Sequence, residues 1–127
     1  MRPETRQYRG RLLRPAVQRA LLDEHLRRNF MAFTRRVFAT VVPGEELHLN
    51  WHLEAIAFKL DRVMQGENRR LLITIPPRHL KSIMTTVALP AFVLGRDPTK
   101  KIVCVSYSHE LATKHAIDCR AVMQSDW

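Results

Sequence analysis

Two short apolar runs, separated by enough residues for one helix, constrain the fold of this chain most strongly. Residues 71–75 read Leu-Leu-Ile-Thr-Ile and are followed by Pro76 and Pro77, neither of which can donate a hydrogen bond to a strand ladder. Residues 102–105 read Ile-Val-Cys-Val. Short apolar runs of this kind are typical of strands buried on both faces of a parallel sheet. We therefore predict one strand in each run.

Helical spacing surrounds the two runs. The first helix is predicted from apolar residues that step by three or four positions: Leu22, Leu26, Phe30, Phe33 and Val37. It should begin near Pro15, which suits a first helical turn, and end at Pro43-Gly44. Further helices are expected from about Asn50 to Gln65, from Ser82 to Leu94 with a kink or a break at Pro90, and from Ser108 to about Gln124.

The resulting order of strand, helix, strand and helix predicts an α/β fold. Its centre would be a parallel βαβ unit with a right-handed crossover, preceded by the N-terminal helices. Because a parallel sheet needs more than two strands, we expect residues 15–127 to be the incomplete N-terminal part of a larger domain.

The turn between the first run and its helix carries the residues that indicate chemistry. A helix N-terminus after a buried strand presents backbone N–H groups to an anion, and its dipole favours negative charge. Lys81 would place its ammonium at the terminal phosphates of ATP, and the Ser82 hydroxyl would bind Mg²⁺. The candidate nucleotide-binding residues are Pro77, Arg78, His79, Leu80, Lys81 and Ser82.

This loop departs from the P-loop consensus G-x-x-x-x-G-K-[ST] at both glycines. Ile75 and Leu80 occupy those positions, and a leucine in the left-handed conformation costs about 1–2 kcal/mol. We therefore expect a different backbone conformation at Leu80. The pattern alone is also consistent with a basic turn that binds nothing.

Further motifs surround the loop in a definite order. They are Trp51-His52, Arg70 to Ile73, Pro76 to Ser82, Pro90 to Pro98, and Ser106 to Ala112. In this order, over roughly residues 30 to 125, the chain resembles the N-terminal ATPase region of phage large terminase subunits. It departs from that family at Leu80, where glycine is commoner, and at Phe92, where tryptophan is commoner.

The resemblance implies part of a motor that uses ATP and Mg²⁺ to move double-stranded DNA into a procapsid. Its implied partners are the small terminase subunit, the portal protein and other large-subunit copies in a pentameric ring. Its implied location is the host cytoplasm, transiently at the procapsid portal. Trp51 and His52 would lie near the adenine, although core packing is an equal alternative for Trp51, and Arg78 would sense the γ-phosphate.

The same resemblance implies that these residues alone hydrolyse little ATP. After the second apolar run, no hydrophobic segment ends in Asp-Glu, so the Walker B acid and the catalytic base are absent from the sequence. The carboxylate cluster of the family's nuclease domain is absent as well.

Positive charge is concentrated at the start of the chain. Residues 1–36 contain ten arginines and three acidic residues, which accounts for +7 of the formal charge of +9. A basic arm of this kind favours a polyanionic partner, and DNA first, although a solvated helix face is the alternative. Residues 1–14 are predicted to be disordered. The candidate DNA-binding residues are Arg2, Arg6, Arg9, Arg11, Arg14 and Arg19.

The two cysteines indicate a reducing compartment, because they are too few for a disulfide framework. Cys104, inside an apolar run, is predicted to be an inert core residue. His115 and Cys119 are four positions apart, but they lack the accompanying spacing of a zinc site. The longest apolar stretch, Val87 to Leu94, is too short to span a membrane.

Two other functions are consistent with the sequence. One is a fragment of a different P-loop DNA-dependent ATPase, similar to a helicase. The other is a small basic DNA-binding protein that uses no nucleotide, whose DNA affinity would not change with ATP or with Lys81→Ala.

Overall fold

The computed structural model describes residues 14–127, and the regular structure in this range is helical. Within residues 14–127, five α-helices and one π-helix follow one another, and the π-helix is called the π-segment below. The elements are α1 Pro15–Arg28, α2 Phe30–Val41, α3 Trp51–Met64, the π-segment Ile83–Ala88, α4 Leu89–Arg96 and α5 His109–Met123.

The predicted α/β fold is wrong, because residues 14–127 contain no β-strand. Neither residues 71–75 nor residues 102–105 form a backbone–backbone hydrogen bond with another part of the described chain. A strand is defined by that pairing, so apolar composition alone does not produce one. Without the two strands, the described residues contain no parallel βαβ unit and no sheet for a P-loop to follow.

The two apolar runs differ in how they meet the helices. Ile73 and Ile75 pack against the buried core from the first run. Val103 and Val105 of the second run are 86% and 85% exposed. The first run therefore covers part of a helical core, whereas the second presents apolar side chains to solvent.

The core lies where α2, α3 and the π-segment meet. The largest of its fully buried side chains are Val37, Leu53, Met84 and Val87. Burying an apolar side chain of this size contributes about 1.5–3 kcal/mol. From α4, the ring of Phe92 meets the rings of α2 edge-on, with centroid distances of 5.3 Å to Phe30 and 5.2 Å to Phe33. Phe92 thus joins α4 to the core.

The predicted first helix is two helices, because the chain turns at Asn29. Asn29 has φ −115° and ψ 104°, and its side-chain oxygen accepts a hydrogen bond of 2.8 Å from the Ala32 amide. This cap begins α2. In α1 the buried side chain is Leu26, whereas Leu22, a member of the same predicted series of apolar residues, is 49% exposed.

The other helices follow the predicted boundaries closely, with one difference in conformation. The expected helices near residues 50–65 and 109–124 are confirmed, and Ser108 caps α5 by accepting from the Leu111 amide. The expected third helix begins at Lys81, runs through the π-segment and continues as α4. Its distortion precedes Pro90, which cannot donate a hydrogen bond to the preceding turn. Among the described residues, no helix is long and apolar enough to cross a membrane.

Candidate nucleotide-binding site

The loop at residues 77–82 has an unusual backbone. Arg78 has φ 65° and Leu80 has φ 59°, and in the described part of the chain these are the only non-glycine residues with positive φ. Each costs about 1–2 kcal/mol relative to an ordinary conformation. The prediction that Leu80 avoids the left-handed region is therefore wrong, because Leu80 adopts a conformation that glycine usually provides.

This backbone leaves amides available to a ligand. The N–H groups of Arg78, His79 and Leu80 donate to no backbone carbonyl of residues 14–127. Left-handed residues that alternate with ordinary ones gather successive N–H groups into a concave anion site. His79 lies between the two left-handed residues, and the helix begins at once with Lys81. The arrangement therefore offers both free donors and the positive end of a helix dipole.

The cationic side chains of the loop are not committed to carboxylates. Neither Arg78 nor Lys81 forms an ion pair within the described range. Lys81 is half-buried, and Ser82 is exposed, so its hydroxyl is open to solvent. The backbone carbonyl oxygens of both residues accept side-chain hydrogen bonds, that of Lys81 from the Thr85 hydroxyl and that of Ser82 from the Thr86 hydroxyl. These two bonds hold the first helical turn beneath the loop.

The start of α3 lies beside the loop. Nδ1 of His79 is 2.9 Å from the carbonyl oxygen of Pro77, and the His79 ring centroid is 5.4 Å from that of His52. The neighbouring Trp51 is 77% exposed, so core packing does not explain this side chain. Trp51 and His52, predicted on the adenine side, are therefore close to the loop in space as well as in the motif order.

The candidate DNA-binding arginines are only partly within the described structure. Arg2, Arg6, Arg9 and Arg11 lie outside the described residues, as does nearly all of the predicted arm 1–14. Arg14 is exposed. Arg19 donates to the backbone carbonyl of Asp126, so part of its function is to join α1 to the far end of the chain.

A cluster of sulfur and imidazole groups, which the sequence did not predict, lies beside α5. Cys104 is exposed, so the prediction of an inert core residue is wrong. It lines a cavity of about 300 Å³ together with His115 and Cys119 of α5. Burial raises the pKa of the Cys119 thiol, and the nearby Cys104 raises it further. The four-residue spacing of His115 and Cys119 was the available signal, but nothing in the sequence placed Cys104 beside them.

The likeness to large terminase subunits rests on motif order along the chain. In the structure, two of those motifs, the Trp51-His52 pair and the loop at residues 77–82, are neighbours through the contact of His52 with His79. Comparison with known proteins finds no matching family model, no matching curated protein and no matching solved structure.

Proposed function

We propose that residues 77–82 bind the terminal phosphates of ATP with Mg²⁺. The observation that carries this proposal is the pair of left-handed residues, Arg78 and Leu80, directly before the helix that begins at Lys81. Non-glycine residues keep such conformations only where the surrounding structure holds them, and they concentrate at ligand-binding sites. Here they precede a lysine and a serine, the two side chains that phosphate and Mg²⁺ require.

Each group would have a separate role in binding. Free amides from Arg78 to Leu80 would donate to phosphate oxygens, and the Lys81 ammonium would neutralise their charge. The Ser82 hydroxyl would be a Mg²⁺ ligand. The exposed indole of Trp51 would lie against the adenine. We expect binding without appreciable turnover, because none of these residues is an acid that could hold Mg²⁺ and orient water.

In the biological setting that we propose, the site belongs to the large terminase subunit of a phage or prophage. The bound nucleotide would serve the packaging of double-stranded DNA into a procapsid, in the host cytoplasm and at the portal. The small terminase subunit, the portal protein and further copies of the large subunit in a pentameric ring would be the partners. The motif order from Trp51 to Ala112 supports this assignment.

Equilibrium titration with a fluorescent ATP analogue, with and without Mg²⁺, tests the site. Lys81→Ala should weaken binding at least tenfold, because a charge-assisted contact to phosphate is lost. Lys101→Ala is the matched control, because Lys101 is an exposed lysine with no ion pair among the described residues. This variant should bind the ATP analogue with the affinity of the parent chain. Equal affinity of Lys81→Ala and the parent would exclude the proposed site.

A second candidate is a basic DNA-binding protein that uses no nucleotide. The nearly complete exposure of α1, with its arginines toward solvent, favours it. DNA affinity measured with and without ATP separates the two candidates, since only a packaging ATPase or a helicase-like ATPase should couple the two ligands. A helicase-like enzyme would further act on DNA without a procapsid or portal.

A further inference from the structure

The cavity between α5 and residues 101–106 contains two thiols from distant parts of the sequence. Cys104 is exposed, and Cys119 is half-buried on α5. Both line the same cavity of about 300 Å³, together with His115 and Met123. Burial raises the pKa of the Cys119 thiol, and the nearby Cys104 raises it further, as expected for thiols that share one cavity. Fifteen positions separate them along the chain.

The backbone of the segment that carries Cys104 is not held by hydrogen bonds to the rest of the described chain. From Lys101 to Tyr107 no residue takes part in a backbone–backbone hydrogen bond with the described chain. Segments without such bonds shift at low free-energy cost. Cys119, by contrast, is fixed on a helix of fifteen residues that Ser108 caps. One sulfur atom is therefore exposed on a segment without backbone hydrogen bonds, and the other is half-buried on a helix.

His115 adds a proton acceptor to the same cavity. It lies one helical turn before Cys119, so both side chains are on one face of α5. Its Nδ1 atom is buried and has no hydrogen-bond partner among the described residues. A buried ring nitrogen without a partner is costly, and accepting a proton from a neighbouring thiol would satisfy it.

We propose that Cys104 and Cys119 form an oxidation site that closes into an intramolecular disulfide when the chain meets a peroxide. The Cys104 thiolate attacks hydrogen peroxide, which breaks the O–O bond and, with one proton, gives the Cys104 sulfenic acid and water. Cys119 then loses its proton to His115 and attacks the Cys104 sulfur, which forms the S–S bond and releases hydroxide. The hydroxide takes up one proton as water. Each disulfide thus consumes one peroxide and releases two water molecules.

The test is peroxide treatment of the full chain, followed by intact-mass measurement and thiol titration. The chain should lose two hydrogen atoms and both titratable thiols, and no disulfide should link one chain to another. Closure should be at least tenfold faster than in the same chain unfolded in urea, because the fold holds the thiols at one cavity. Equal rates, retention of both thiols, or disulfide-linked dimers would overturn the proposal.

Single substitutions identify the order of the steps. Cys119→Ser should accumulate a sulfenic acid at Cys104 that dimedone traps, because no second thiol is present to remove it. Cys104→Ser should trap far less, since the Cys119 thiol is half-buried. Trapping mainly at Cys119 would contradict the assigned order. His115→Gln should slow closure and move its pH dependence upward, and an unchanged pH profile would exclude His115 as the proton acceptor.

Discussion

The imidazole ring of His52 lies 5.4 Å from that of His79, so the first turn of α3 borders the candidate phosphate loop. The adjacent Trp51 is 77% exposed and is therefore available to a ligand. We expect the fluorescence of Trp51 to change when Mg²⁺ and ATP bind, because an adenine placed there would stack on the indole.

A pair of substitutions isolates that signal. Trp51→Phe should remove the fluorescence change, whereas Trp127→Phe should preserve it. Trp127 is half-buried and its indole N–H donates to Thr40, 3.1 Å away, so it is the matched control. A change that persists in Trp51→Phe would place the adenine elsewhere.

The left-handed conformation at Arg78 should cost stability that glycine restores. Arg78→Gly should raise the free energy of unfolding by about 0.5–1 kcal/mol, since glycine removes the conformational penalty but enlarges the entropy of the unfolded chain. Urea denaturation measures this difference. Arg70→Gly is the control: Arg70 is exposed with an ordinary φ, so its replacement should not stabilise. Stabilisation of both variants to the same degree would argue against strain at Arg78.

Phe92 should be among the most sensitive positions of the core. It is 3% exposed and contacts the rings of Phe30 and Phe33. Phe92→Ala should lower the free energy of unfolding by about 3–5 kcal/mol through lost burial and the remaining cavity. Phe58→Ala, at a residue 58% exposed, should cost far less. Denaturant midpoints of the two variants provide the comparison.

The caps of α2 and α3 use the same residue type with different contacts. The Asn29 side chain accepts a hydrogen bond from Ala32, whereas Asn50 caps α3 without a side-chain bond. Asn29→Ala should therefore cost about 1 kcal/mol, and Asn50→Ala appreciably less. Thermal unfolding of both variants, measured side by side, tests this order. Equal losses would show that the Asn29 bond contributes little.

DNA binding by the basic start of the chain should be independent of sequence and steeply dependent on salt. We expect an apparent number of phosphate contacts of about 4–6, so affinity should fall about 10²–10³-fold between 50 and 200 mM salt. Filter binding at several salt concentrations measures the slope. Deletion of residues 1–13 is the appropriate variant, because deletion through Arg36 would also remove Phe30 and Thr34 from the core.

The deletion removes four of the candidate arginines, Arg2, Arg6, Arg9 and Arg11, and leaves the described helices intact. Its unfolding midpoint should match that of the full chain, which serves as the control for folding. Its salt slope should become shallow. A slope equal to that of the full chain would favour docking of this region on a protein partner.

Helix boundaries were predictable from the sequence because their signals are local. Spacing of apolar residues and capping residues placed α3 and α5 within a few positions. The same spacing ran through Asn29 without a break, so it missed the division between α1 and α2. That division depends on one side-chain hydrogen bond to Ala32, which the pattern of apolar residues does not record.

The two predicted strands and the conformation of Leu80 could not be judged from local sequence, because both depend on tertiary contacts. Residues 71–75 and 102–105 have the composition of buried strands, but a strand also needs a partner backbone, and composition carries no information about one. The conformational free-energy cost of a left-handed leucine led to the prediction that the backbone at Leu80 would be different. Its partial burial against the core provides a contact that offsets the conformational cost, and that contact is tertiary.

The π-segment determines the direction in which the loop faces. Its hydrogen bonds span five residues instead of four, so it accommodates more chain per turn than an α-helix does. Each residue of an α-helix rotates the chain by about 100° about the axis. The number of residues between Lys81 and the buried Phe92 therefore sets the angle about the helix axis at which the loop lies relative to the core. A single insertion or deletion there would turn the loop to another side of the core, whereas the same change at residues 101–103 could be absorbed locally.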